Sequence, residues 1–314
     1  MPTITNMHKS FVIRHFVKIN MKTKITLLLL FISPIYAQVD PVNSQKLWIF
    51  SLSKIGSSIV PYEKEQFTDI FGPYKSDPRR NINSYEFAAQ KKFEDSKFAF
   101  YFDFFELTKR DYSLKYIDFQ NRSNIKETPT PIGNYFRSQI RLGFSYSIFN
   151  NVSISFGSRY FRSELTDGFL NQFYVNFGQK YLGPEISIQT KTKFLDNFFI
   201  ATRISLFLLY GKSIHNYSFV SARTDQGYID VNIEPYTRVQ GNEFLLKFGY
   251  YFTNNLFFTI GFRSTLLRIR PDDLRVYSGD SRFDNQMNIE YGLRKENSYT
   301  DYMQSIILEL GIEL

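Results

Sequence analysis

The chain of 314 residues contains no cysteine. That excludes disulfides, zinc–thiolate sites and a lipidated N-terminal cysteine. Long apolar runs are missing as well. The best of them, Ile25 to Ile32, is far short of the roughly 18–20 residues that a membrane-spanning helix needs. Histidine is scarce: His8 and His15 lie near the start, and only His215 lies further on. No glycine-rich phosphate cradle is present. Nor is there a real excess of one charge. Five of the eight net positive charges sit in residues 1–37 (Lys9, Arg14, Lys18, Lys22, Lys24), a stretch with no acid. The remainder is too balanced for a nucleic-acid partner, which would need a basic face.

What is present begins with an export signal. Met21, Lys22 and Lys24 precede the apolar run, and Ser33 to Ala37 supply a small-residue cleavage point. The expected organisation is a signal peptide over 21–37, cleaved after Ala37, and a mature domain over 38–314. Residues 1–20 read as a start-site overcall or an extended basic n-region. Phenylalanine (34) and tyrosine (22) dominate the aromatics, yet mean hydropathy is −0.28. A helical membrane protein would be more apolar. A β membrane protein need not be, because only alternate residues face lipid.

Hairpins of one design recur. "SYSIFNNVSISFG", "TKTKFLDNFFIATRI" and "FGYYFTNNLFFTIGF" each join alternating strands through three residues that end in Asn151, Asn197 or Asn255. Asparagine tolerates the left-handed conformation of a type I turn plus bulge, and the odd loop length keeps both apolar sets on one face. "KKFEDSKFAFYFDF" makes a fourth hairpin with a four-residue link. Strands are expected at about 82–93, 98–107, 135–148, 152–162, 181–194, 198–210, 243–252, 256–267 and 302–314. "KLWIFSLS" completes an even number. Stretches 54–81, 108–133, 163–180, 212–241 and 268–300 read as long loops. The expected fold is all-β: a transmembrane antiparallel up-and-down barrel of about ten strands, with short periplasmic turns and long extracellular loops.

The face opposite the apolar one carries charge in mid-strand: Asp103, Arg137, Arg141, Arg159, Glu185, Lys191, Lys193, Arg203, Glu243, Lys247, Arg263, Glu309 and Glu313. These are expected to point into the lumen and to fill it with an ion-pair network. A charged narrow pore is the alternative. The register would set Arg141 opposite Arg159, a pair that requires counter-charges from neighbouring strands.

The leader, the alternating strands, the tight turns and the terminal strand "SIILELGIEL" resemble the bacterial outer-membrane β-barrel class. The resemblance implies residence in the outer membrane among lipids that include lipopolysaccharide. It also implies that the last strand is presented to the barrel-assembly machinery. Ten-stranded barrels include the omptin proteases, which use paired aspartates and an Asp–His couple at the outer rim. No matching Asp-rich motif stands beside His215. "RPDDLR" and "SGDSRFDN" (Asp272, Asp273, Asp280, Asp284) lack calcium-site spacing. The expected role is therefore a non-enzymatic surface protein with no cofactor and no metal, which binds an extracellular ligand through its loops. A narrow channel is the alternative, and an omptin-like protease a remote one.

Overall fold

The computed structural model describes residues 47–60, 74–76, 82–118, 126–170, 173–220, 228–233, 236–273, 276–277 and 298–314. The expected leader, Asp280 and Asp284 lie outside them. All described strands belong to one compact unit, Asn43–Leu314.

The described residues form strands β1 (Trp48–Val60), β2 (Tyr74–Ser76), β3 (Ile82–Lys92), β4 (Phe98–Asp118), β5 (Lys126–Phe149), β6 (Val152–Leu170) and β7 (Phe173–Lys193). They continue with β8 (Phe198–Val220), β9 (Tyr228–Ile233), β10 (Tyr236–Tyr251), β11 (Leu256–Asp273), β12 (Val276–Tyr277) and β13 (Tyr299–Glu313). Ten of them close on themselves in the order β10-β11-β13-β1-β3-β4-β5-β6-β7-β8, with β8 pairing back onto β10. Every pairing around this circuit is antiparallel. The short β2 pairs with β4, while β9 and β12 extend the sheet beyond β8. The seam joins the first and last strands: Trp48 N–H donates to Leu314 O at 2.8 Å, and Leu314 N–H to Trp48 O at 2.7 Å. Closure leaves no open edge, which is what a sheet in hydrocarbon requires.

All ten expected barrel strands are present, and most run further than expected. β4 continues to Asp118, β5 starts at Lys126, β6 and β7 meet near residue 170, and β8 reaches Val220. The segments 108–133, 163–180 and 212–241 are therefore strand for much of their length and not loop.

The reason is an inversion of polarity along each strand. Near the tight turns the outward residues are apolar and exposed, for example Phe144, Phe156, Ile188, Leu206, Phe248 and Leu310. Their inward neighbours are serine, glycine and charge. Higher up, the inward positions become apolar and dry: Leu107, Phe161, Tyr181, Leu209, Val239 and Ile269 are almost wholly buried. There the outward positions turn charged, as in Lys180, Lys212, Arg268 and Arg270. A search for apolar residues on one face stops where the pattern changes sides, although backbone pairing does not.

The tight turns also differ from expectation. None of Asn151, Asn197 or Asn255 adopts a positive φ; among the described non-glycine residues only Asp95 does, at 48°. The turns are closed by other groups. Thr253 Oγ1 accepts the N–H of Asn255 at 3.2 Å and of Leu256 at 3.0 Å, and Ser96 Oγ accepts the N–H of Phe98 at 3.0 Å. A hydroxyl that takes up two orphan N–H groups removes the need for a left-handed residue.

Candidate functional site

The lumen is the one concave region built by every barrel strand, and it is filled in three layers. The middle layer is ionic. Arg141 Nε donates to Glu185 at 2.9 Å, and the same guanidinium binds Asp103. Arg203 reaches Asp103 at 3.2 Å and Glu243 at 2.9 Å. Arg159 binds Glu243 at 3.1 Å and Glu185 at 2.7 Å. These contacts make a closed ring of alternating sign, Arg141–Asp103–Arg203–Glu243–Arg159–Glu185, with one member each from β5, β4, β8, β10, β6 and β7. Gln139 Oε1 accepts a further bond from Arg159 at 3.1 Å, and Thr265 Oγ1 donates to Glu243 at 3.3 Å.

The register makes the ring necessary. Arg141 and Arg159 are directly opposite one another on adjacent strands, where like charges repel. Glu185 bridges both. Beside the ring, Arg263 pairs with Glu86 at 2.6 Å, and Lys247 pairs with Glu309 at 2.8 Å. Glu309 also accepts from Thr259 at 2.7 Å. Each charge buried here carries a large desolvation penalty, so pairing is a condition of folding more than a source of stability.

Above the ring lies an apolar layer of Phe161, Tyr181, Phe207, Leu209, Val239, Leu267, Ile269 and Tyr299. Arg137 enters it, pairs with Asp301, and lies 5.0 Å from the centroid of the Phe161 ring. Arg159 lies 4.0 Å from the Phe207 ring, which ties the two layers together. Below the ring, at the turn end, Phe199, Tyr251 and Phe257 pack edge to face. Lys191 sits 4.6 Å from the Phe199 ring and binds Glu313 at 2.8 Å. Lys193 is exposed beside Tyr251. Between the ring and these aromatics is a cavity of about 140 Å³ bordered by Ser51, Gln90, Tyr101, Asp103, Arg203 and Glu309.

Small residues let the large ones lie flat. Gly143 and Gly157 are paired across β5 and β6, and a Cβ on either would collide with backbone and with Tyr101 Oη. The Phe207 ring likewise covers Gly241, the Phe199 ring covers Gly249, and the Phe257 ring covers Gly311.

Two partners of the network were not singled out from sequence, Glu86 and Asp301. Glu86 shares the inward phase of Ser84, Ala88 and Gln90, opposite Phe87, so counting along β3 reaches it. Asp301 is in phase with Ser305 and Glu309, but the terminal strand begins earlier than expected, at Tyr299. His215 lies within β8, its backbone opposite Phe177 and Ile233. Among the described residues no group of His, Asp and Glu is placed to hold a metal ion.

No family model and no curated protein sequence matches this chain. Solved structures do. The outer membrane protease OmpT of Escherichia coli is 11% identical and superposes with a TM-score of 0.52, covering 88% of this chain and 99% of its own. The toluene transporter TodX of Pseudomonas putida is 9% identical, with a TM-score of 0.31 and coverage of 85% and 90%. The toluene transporter TbuX of Ralstonia pickettii is 10% identical, also at 0.31, with coverage of 86% and 90%. At such identities the likeness to OmpT is one of fold alone. An apolar outer belt, a polar lumen, a seamless antiparallel circuit and that likeness together give the chain the fold of a bacterial outer-membrane β-barrel, closed by ten strands.

Proposed function

We propose that the protein is a plugged, non-enzymatic outer-membrane barrel that works through the surface it presents at the end away from the tight turns. The observation that carries this reading is the filled lumen. Ionic ring, apolar layer and lower aromatics succeed one another along the axis, and each engages strands from several sides of the barrel. A channel would need a continuous polar path wide enough for a hydrated ion, and the dry apolar layer weighs against it. OmpT is a protease, but the ring carboxylates here are each held by two guanidinium groups. That is a poor setting for a general base, which must be able to take up a proton.

The partners that fit this reading are outer-membrane lipid, lipopolysaccharide included, the barrel-assembly machinery acting on β13, and an extracellular ligand for the loops. The test is electrical. Folded protein in planar bilayers is expected to give no discrete current steps, and reproducible steps would overturn the plugged reading. A parallel assay of peptide and lipid hydrolysis, with His215→Ala as control, is expected to show no activity that depends on that residue.

A further inference from the structure

The ion network neutralises the inside of the barrel, but a second set of charges faces outward and follows a different rule. On β6, β7, β8 and β11 the outward apolar series ends at Tyr160, Leu182, Tyr210 and Leu266. The next outward residue on each is a cation: Arg162, Lys180, Lys212 and Arg268. Arg270 follows Arg268, and Arg238 lies on β10 between β8 and β11. The corresponding first polar residues on the rest of the barrel are mixed in kind: Lys54 on β1, Glu106 on β4, Ser138 on β5 and Gln304 on β13. The positive charge is therefore confined to one side.

Register brings these cations together. Lys180 is directly opposite Lys212, and Arg162 is opposite Lys180. Arg238 is opposite Arg270 and, on its other side, Tyr210. Arg162 is aligned by Glu164, which takes both its Nε and an Nη at 2.8 Å. Lys212 lies 5.3 Å from the Tyr236 ring. Two like-charge pairs placed face to face destabilise a sheet, and they recur just past the last apolar residue, where a lipid headgroup would lie. A multivalent anion between the strands turns that repulsion into charge-assisted hydrogen bonds.

We infer that this outward stripe of β7, β8, β10 and β11 is a binding site for the phosphate headgroup of an outer-leaflet lipid. Lys180 and Lys212 form one half of it, and Arg238 and Arg270 form the other. The acyl chains run down over Leu182, Tyr210 and Leu266. The inference rests on the membrane reading of the apolar belt.

The test uses the full chain in nanodiscs of phosphatidylcholine alone, with added bis-phosphorylated lipid A, or with the same lipid after removal of its phosphates. Lipid that remains bound after purification is counted by native mass spectrometry, and thermal stability is followed in each disc. Phosphorylated lipid A is expected to be retained at least tenfold better than the dephosphorylated form. The double variants Lys180→Gln/Lys212→Gln and Arg238→Gln/Arg270→Gln are expected to lose that preference, with Lys54→Gln unchanged. In phosphatidylcholine alone both double variants should melt at or above the parent temperature, because the repulsion is gone. Equal retention of the two lipid A forms, or unchanged preference in both double variants, would overturn the site. Competition by millimolar inorganic phosphate to the same extent would assign the site to free phosphate and overturn the lipid assignment. Failure to fold in any nanodisc would bring down the membrane reading, and the proposal with it.

Discussion

At the scale of single residues, the ring dictates which changes are tolerated. Glu185 neutralises two arginines that face each other, so Glu185→Gln leaves both buried without adequate counter-charge. The expected loss is about 3–5 kcal/mol, as for other broken buried pairs, measured by urea unfolding in vesicles. Removing both members of a pair is a different matter. Arg263→Met with Glu86→Leu deletes two desolvation penalties together and should be close to neutral in the same assay. Gly157→Val tests packing: its side chain would meet the Leu142 carbonyl and Tyr101 Oη. Overpacking of this kind costs about 1–3 kcal/mol or more, and trimming Tyr101 to Phe should recover part of it.

At the scale of strands, one change of polarity explains what could and could not be read in advance. Leu206 and Ile214 both point outward on β8. Leu206 lies in the apolar belt, and Leu206→Arg is expected to cost ~2–4 kcal/mol in vesicles. Ile214 lies above the cations, where Ile214→Arg should fall within about 0.5 kcal/mol. Equal costs at the two sites would mean that the belt reaches higher than the cations indicate. The lower half of β8 was legible because greasy and polar residues alternate on a fixed phase. The upper half follows the rule of a soluble barrel, with Leu209 inward and Lys212 outward, and no single-face template spans both halves. The ionic pairs were legible as a set of inward charges. Their partners across the lumen, such as Arg141 with Glu185 and Arg263 with Glu86, depend on barrel closure and shear, which local spacing does not encode. The turns misled for another reason: Thr253 satisfies the backbone with its hydroxyl where asparagine conformation had been expected to do so.

At the scale of the whole molecule, the plug is redundant. Replacing Phe199, Tyr251 and Phe257 together by alanine enlarges the lower cavity but leaves the ring and the dry layer above it in place. Planar-bilayer recordings of this triple variant are expected to remain silent. Current steps would show that the aromatics alone had blocked conduction. The ring has a consequence for assembly. Its six members come from six strands, and Arg137 waits for Asp301, Arg263 for Glu86, each more than 160 positions away along the chain. A half-threaded intermediate would expose stranded cations to oil, with their mates still outside. Insertion one hairpin at a time is thus penalised throughout, and the cylinder has every reason to be completed before it is released into the bilayer.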